Sequence, residues 1–535
     1  MQPNRFAFQS ALAKSCLRRV FHWSLVFGIG CFSGSVHAAP KNILLLIADD
    51  YGVDSSSLYN TTTTGAVLPP TPNIASLASN GVTFTRAYAN PVCSPTRACL
   101  LTGRFGFRTG IGDVVGGTQG PLAATEFTLP KAFTNAALGY QLAQFGKWHL
   151  DNTVNSPLTV GGWTNYAGNL IGQIASYTNW SKTVNGVTTI STNYATTDLV
   201  NDATNWIAAR GTNAWFLWAA FNAPHTPFHL PPTNLCPHYA GLSGTAGDIN
   251  ANPVKYFDAM VEALDTEIGR LLAALPSRTN THIIFLGDNG TLRNVLQPPF
   301  PNTRGKETLY EGGTHVPLII SGPAVVSPNR TNDTLISMVD VYATILEMAG
   351  SSVAAAVPTN VTIDSQSLLP VLKTNNLTQT RYSYSELFGA GVLPSTNAAG
   401  RTLHNSPYKV IAFFNGTNEF YDLKSDPYEA TNLLATTMNP TQSGNYYSLV
   451  LKLGDYQIAL AKPVINSFAW SNANFTVTVQ RNLTNSYGLW RASSLDGLNW
   501  SPLTNSIIVT NGTSSVTLTD TNASAGQNFY RVESH

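Results

Sequence analysis

The first strong pattern in the chain is Asn42-Ile43-Leu44-Leu45-Leu46-Ile47-Ala48, an apolar run without polar alternation. Such a run predicts a parallel strand buried on both faces, with helices above and below it. It breaks at once into Asp49-Asp50-Tyr51-Gly52. The same change recurs twice. Residues 215–221 run into Asn222-Ala223-Pro224-His225-Thr226-Pro227, and residues 282–287 run into Asp288-Asn289-Gly290. Between these runs, residues 71–81 predict a short capped helix ending on glycine, and residues 82–85 a strand. Residues 256–275 predict a helix with Met260, Leu264, Ile268 and Leu271 on one face and acids on the other. Residues 318–320 read as another strand and 336–349 as another helix. Residues 152–197 are rich in Asn, Thr, Gly and Ser and weakly patterned, which predicts a surface excursion beside the mouth of a site.

The pattern changes after Leu372. Short strand-like segments at 408–414 and 418–423 predict a small antiparallel sheet, followed by a helix near 445–461. From Pro463 onward alternation dominates, as in Phe475-Thr476-Val477-Thr478-Val479, punctuated by Asn-Gly and Asp-Gly turns. The expected architecture is α/β: a large, mixed, mostly parallel sheet flanked by helices over residues 40–375. A small antiparallel subdomain follows over 376–462, and an all-β sandwich over 463–535. Trp490 and Trp500 in that sandwich read either as a sugar-stacking platform or as core.

Composition adds compartment. Charged residues make up only 11% of the 535 residues, against 43% hydrophobic, and the formal charge of +1 offers no basic stripe for nucleic acid. Residues 1–38 read as an export signal: Arg5, Lys14, Arg18 and Arg19 without an acid, a short apolar core at 21–32, and Val36-His37-Ala38 for cleavage. The core is too short for a comfortable membrane span. A lipid anchor on Cys31 is a rival reading, disfavoured by Gly28-Ile29-Gly30 before it. Removal of the signal also removes Cys16 and Cys31, leaving Cys93, Cys99 and Cys236. An odd set leaves a free thiol in an exported chain, with the pairing of Cys99 and Cys236 open.

Candidate chemistry gathers around Cys93-Ser94-Pro95-Thr96-Arg97, followed by Leu100-Leu101-Thr102-Gly103-Arg104. Pro95 suits a first helical turn with Ser94 as N-cap, and Arg97, one turn on, can return towards Cys93 at the helix mouth. Asp49, Asp50, Asp288 and Asn289 offer oxygens at sheet-edge positions and suit a hard cation such as Ca²⁺ or Mg²⁺. Asp49-Asp50 alone also fits a solvated turn. Lys147 and His149 in GYQLAQFGKWHL share a side if extended, although a lone histidine there is as readily structural. Prolines flank and hold His225. In RGKETLYEGGTHVP, Lys306 is the pocket cation, while Glu311 reads equally as a brace for the Gly-Gly turn and His315 reads either as facing substrate or as structural.

Taken in order, these motifs over residues 41–434 resemble the type I, formylglycine-dependent sulfatases of the alkaline phosphatase superfamily. Gln141-Leu142 and Phe145 depart from residues usually small or hydroxylated in the second signature. The resemblance implies that Cys93 becomes formylglycine (3-oxoalanine), made by a formylglycine-generating enzyme, whose hydrate attacks sulfur. It implies one Ca²⁺ held by Asp49, Asp50, Asp288, Asn289 and the modified Cys93. Arg97 and Lys147 would hold hydrate and sulfate oxygens, His225 and Lys306 would contact sulfate and protonate the leaving alcohol, and His149 would take the proton that lets sulfate depart. The expectation is a periplasmic or secreted sulfuric ester hydrolase acting on a sulfated carbohydrate or aryl sulfate, without a stable membrane span once the signal is removed. The alternatives are a phosphodiesterase or phosphonate monoester hydrolase of the same superfamily, or a non-catalytic binder of sulfated glycans.

Overall fold

The computed structural model describes residues 41–534 apart from 62–64, 117–118, 376, 390–397, 457–464, 472–473, 481–486, 493–500, 504–506, 512–514, 522 and 524–528. The expected export signal and Trp500 therefore lie outside the described residues. The main sheet comprises β1 (Asn42–Ala48), β2 (Gly81–Phe84), β3 (Gln141–Gly146), β4 (Asn165–Gly168), β5 (Trp180–Val184), β6 (Val187–Ser191), β7 (Trp215–Ala220), β8 (Thr281–Gly287), β9 (Leu318–Ser321) and β10 (Arg330–Asn332). Their spatial order is β10-β2-β9-β8-β1-β7-β3-β4-β5-β6. The central strands β8, β1, β7 and β3 run parallel, while β9 pairs antiparallel with both its neighbours.

The side chains of β1 explain its continuous apolar run. Ile43, Leu45 and Ile47 face one core layer and Leu44 and Leu46 the other, all at 0% exposure. Burying each is worth ~2 kcal/mol, so a polar residue on either face would be costly. The second layer contains α1 (Pro72–Ser79), α3 (Ala195–Ala208) and α4 (Pro253–Ala273). The first contains α2 (Cys93–Thr102) and α5 (Asp340–Met348).

Two expectations need correction. The weakly patterned stretch 152–197 is not a simple surface excursion: it supplies β4, β5 and β6, which extend the sheet at one edge, β4 parallel to β3 and the other two by antiparallel pairing. Its pattern is weak because β6 is almost wholly exposed and so lacks an apolar face. Nor do the acids of α4 face solvent. Asp258, Glu262, Asp265 and Glu267 are all buried. Asp265 accepts the backbone N–H groups of Asn73 and Ile74, satisfying donors that open α1. Glu267 accepts from the Thr197 hydroxyl and Arg270.

The expected small sheet consists of β11 (Ser383–Leu387), β12 (Gly400–His404), β13 (Tyr408–Phe413) and β14 (Asn418–Asp422), paired antiparallel in that order. The helix beside it, α6 (Pro440–Leu453), begins earlier than expected because Asn439 and Gln442 form a capping box around Pro440 in its first turn. One face of the small sheet packs on Phe105 and Phe107 just after α2; the other packs on Val92 and Leu309. It therefore braces the segments on either side of Cys93 and the segment just after Lys306. Beyond it, two further antiparallel sheets contain strands between Ile465 and Ser534, as expected of a sandwich. Val477, Val479, Leu489 and Leu518 form their shared core, and Trp490 lies half-buried on an inner strand. No described helix is long and apolar enough to cross a membrane.

Candidate active site

Strand register sets the site. Ala48 pairs with Gly287, Ile47 with Ala220, and Gly146 with Ala220, so β8, β1, β7 and β3 end level with one another. Backbone bonds continue the alignment: Asp49 N donates to Ala223 O at 3.1 Å, Asp288 N to Ala48 O at 3.1 Å, and Lys147 N to Ala220 O at 2.8 Å. Gly146 is required here. Its φ of +96° is left-handed, and a Cβ would sit 1.9 Å from the Ala220 oxygen. Asp50 has a φ of 64°, so neighbouring carboxyls that would point apart in a strand both reach one cluster.

Cys93 opens α2, but the N-cap is Val92, not Ser94. Ser94 lies inside the first turn, where its hydroxyl donates to His149 O at 2.9 Å and accepts Val115 N at 3.0 Å. It ties three loops together at the helix mouth. Arg97 is 1% exposed, and its Nε and Nη2 donate to Asp288 Oδ2 at 3.0 and 2.6 Å. Its Nη1 donates to Lys147 O at 3.0 Å. Lys147 Nζ lies 2.6 Å from Asp49 Oδ2 and 3.3 Å from Cys93 Sγ, and Lys306 Nζ lies 2.6 Å from Asp50 Oδ1. Asp49, Asp50, Cys93 and His225 each present a ligand atom, all within 4.8 Å of one another.

Burial works against the charged form of each of these groups, and at Asp49 and Lys306 the neighbours outweigh it. Burial would raise the Asp49 carboxyl, but Lys147, His225, Arg97 and Lys306 outweigh it and hold it well below the usual range. Lys306 is the converse: burial would lower it, yet Asp50, Cys93 and Asp49 raise it, so it stays an ammonium. Burial raises the Cys93 thiol in spite of Lys147 and Lys306, which keeps it protonated. Burial, with Lys147 and Arg97, lowers His149 far below 6.5, and burial lowers His225 despite Asp50 and Asp49. Both rings are neutral at neutral pH.

The donor set fits a hard cation. Asp49 Oδ1 and Asn289 Oδ1 are buried without a hydrogen-bond partner among the described residues. Asn289 Nδ2 is committed to Asp50 Oδ1 at 2.7 Å, which turns its oxygen elsewhere. Unpartnered buried oxygens beside carboxylates are the condition that Ca²⁺ or Mg²⁺ satisfies.

His149 does not lie on an extended segment, as its spacing from Lys147 suggests. It has a φ of 56°, and its Nδ1 is buried and unpartnered among the described residues. His225 Nε2 is 3.7 Å from Asp50 Oδ2. Beyond the flanking prolines, the sequence gives no sign of two further ties on the His225 loop: the Tyr177 hydroxyl at 2.7 Å from both Asn222 O and His225 O, and Asn169 Oδ1 accepting Asn222 Nδ2 at 2.9 Å. Tyr177 and Asn169 come from the stretch read as an excursion, with no local pattern to mark them. Glu311 is a brace, 3.0 Å from Lys409 of β13. His315 stacks on Tyr88 with centroids 4.9 Å apart and its Nε2 is 2.9 Å from Thr85 O, away from the cluster's ligand atoms. Cys93, Cys99 and Cys236 are all free thiols, so Cys99 and Cys236 do not pair.

The model of the family described as "Sulfatase" matches residues 41–351, and that of "N-sulphoglucosamine sulphohydrolase, C-terminal" matches residues 304–445. A "Sulfatase" of Formosa agariphila is 27% identical over 488 residues, covering 75% of this chain and 85% of that protein. An N-acetylgalactosamine-6-sulfatase of Sus scrofa is 29% identical over 401 residues, covering 67% of this chain and 71% of that protein. Among solved structures, Ps i-CgsB superposes with a TM-score of 0.65 at 23% identity, over 78% of this chain and 92% of its own, a likeness of fold. With a family match across most of the α/β sheet and the same catalytic name on its relatives, this chain belongs to the sulfatase family of the alkaline phosphatase superfamily and is a sulfuric ester hydrolase.

Proposed function

We propose that the chain is an exported, periplasmic or secreted sulfatase that removes sulfate from sulfated sugars through a formylglycine made from Cys93 by a formylglycine-generating enzyme. The observation that carries this reading is the meeting of Asp49, Asp50, Cys93 and His225 within 4.8 Å, with Lys147 at 3.3 Å from the Cys93 sulfur. The cysteine itself is a poor candidate nucleophile. Burial keeps its thiol protonated, and a protonated thiol attacks slowly. Its sulfur stands where the oxygen of the modified side chain would be. The sugar preference is supported by the substrate named for the Sus scrofa relative.

Asp49, Asp50, Asp288, Asn289 and the modified Cys93 would hold one Ca²⁺. Bound there, the cation supplies positive charge against a sulfate oxygen as negative charge develops. Arg97 fixes Asp288 through two contacts to one oxygen and so orients the carboxylate that faces Asp50. Lys147 bridges Asp49 and Cys93, holding the reacting side chain and stabilising anionic oxygens. Lys306, kept charged by Asp50, provides a fixed ammonium for the sulfate and its bridging oxygen, and His225 lies across the same carboxylate to serve the leaving alcohol. His149, neutral with an open ring nitrogen, accepts the proton that accompanies release of sulfate. On this reading residues 1–38 are the export signal, 40–375 the catalytic domain, 376–462 its subdomain and 463–535 an accessory sandwich.

The test is mass spectrometry of the tryptic peptide 87–97 from enzyme co-expressed with a formylglycine-generating enzyme, alongside turnover of matched aryl sulfate and aryl phosphodiester. An aldehyde at Cys93 and a preference for sulfate are expected. A plain thiol in active enzyme would sink the modification, and a phosphodiester preference would move the chain to the other hydrolases of its superfamily.

A further inference from the structure

A cavity of about 560 Å³ opens beside the start of α4. Its volume lies in the range of small-ligand sites, about 300–1,000 Å³. Val67, Tyr239, Leu242 and Val254 give it apolar walls, and the exposed Lys255 stands on its rim. One wall carries Asp258, a carboxyl that is 1% exposed. Among the described residues nothing donates to it, and its Oδ1 is buried without a partner. Such a group is rare, because an unsatisfied buried carboxyl costs several times the worth of an ordinary hydrogen bond. Burial, with the nearby Asp54, pushes it up to about 8, so at neutral pH it is a carboxylic acid able both to donate and to accept.

We infer that this cavity is a binding site for one sugar residue of an anionic glycan, separate from the Cys93 cluster. A pyranose ring presents C–H faces to apolar walls and an aromatic ring, and adjacent hydroxyls that suit a neutral carboxyl acting as donor and acceptor at once. Lys255 at the rim favours a sulfate or carboxylate substituent. A divalent cation fits poorly, since it asks for six or more oxygens and the lining offers a single carboxyl group. Asp258 in its wall is also linked through Asp54 to the loops of the candidate active site. Asp54, the neighbour of Asp258, accepts the Thr291 hydroxyl at 2.6 Å, and that hydroxyl also accepts Gly52 N at 3.0 Å, two residues after Asp50 and Asn289. The choice of an anionic glycan rests on the sulfatase reading above.

The experiment titrates the full-length Cys93→Ala protein, which cannot turn substrate over, with a chondroitin 6-sulfate hexasaccharide by calorimetry. Val67→Trp, which fills the mouth from an exposed position, and Lys255→Glu are each expected to weaken binding about tenfold with an unchanged melting temperature. Asp258→Leu is expected to weaken it further. Because Val67 and Lys255 are exposed, their variants test the site even if Asp258→Leu fails to fold. Binding within twofold of the parent for both exposed-site variants overturns the inference, as does a parent that does not bind the hexasaccharide. Both results can occur while the wild type converts aryl sulfate and carries the aldehyde, in which case the sulfatase reading stands. If those two assays fail while the pocket variants still weaken binding, the reaction falls and the glycan site remains.

Discussion

The Tyr177 hydroxyl lies 2.7 Å from the carbonyl oxygen of His225, and the same hydroxyl lies 2.7 Å from that of Asn222. A residue from the low-pattern stretch thus clamps both ends of the turn that carries His225, a histidine of the candidate site. The His229 ring covers it, with centroids 4.2 Å apart. Removing the hydroxyl leaves the ring packed and the turn unpinned. Tyr177→Phe is expected to lower kcat/KM for an aryl sulfate roughly tenfold, for the loss of a hydrogen bond worth ~1 kcal/mol plus misplacement of His225, with little change in melting temperature. Steady-state kinetics and a thermal melt check both parts; unchanged kinetics would remove Tyr177 from the positioning role.

Lys409 is wholly buried between Glu311 at 3.0 Å and Glu429 at 2.7 Å, and Glu429 in turn accepts Glu311 N at 2.7 Å. This cluster fastens the small sheet to the turn after Lys306. Lys409→Met leaves two buried carboxyls without their cation and is expected to cost ~3–5 kcal/mol. Denaturant unfolding measures it. A loss below about 1 kcal/mol would mean that the pair is solvated in solution.

Calcium removal probes the orphaned oxygens of Asp49 and Asn289. Dialysis against EDTA is expected to abolish at least about nine-tenths of sulfate ester turnover, with recovery on adding Ca²⁺. In the Cys93→Ala protein, Ca²⁺ is still expected to raise the melting temperature, and Asp49→Asn to abolish that rise. Full activity after chelation would contradict the metal assignment.

His282 enters β8 far from the site, buried at 4% exposure with an unpartnered Nδ1 among the described residues. Burial, then Lys41 and Lys373, lowers it from 6.5 to about 4. The unfolded chain therefore binds the extra proton between these values. The stabilisation is complete above pH 6.5 and is lost as pH falls through about 4, by at most ~3 kcal/mol. Wild type is expected to lose that much more stability than His282→Gln between pH 7 and 4. Equal losses in denaturant melts at the two pH values would refute it.

The strands at the centre of the sheet were legible because burial on both faces leaves a signature in the chain itself: an apolar run such as 42–48 has no other easy explanation. The residues that follow those runs were legible for the same reason, since strand ends on a parallel sheet converge. The acids of α4 were misread because periodicity reports polarity, not exposure. Asp265 is polar and buried because it caps another helix, and only the packing of α1 reveals that. Ser94 was misread because a cap and a loop tie use the same hydroxyl, and the partners of that tie are distant in sequence.

The sequence alone determined the buried central strands, the order of the motifs and the chemical groups that follow those strands, because apolar runs and their polar endings are local properties. Only the tertiary structure decided which lysine neutralises which aspartate, that Tyr177 clamps the His225 turn, and that Asp258 faces a cavity without a partner. Those outcomes depend on distances between residues far apart in the chain, and on a desolvation that makes each buried charge answer to its neighbours rather than to water.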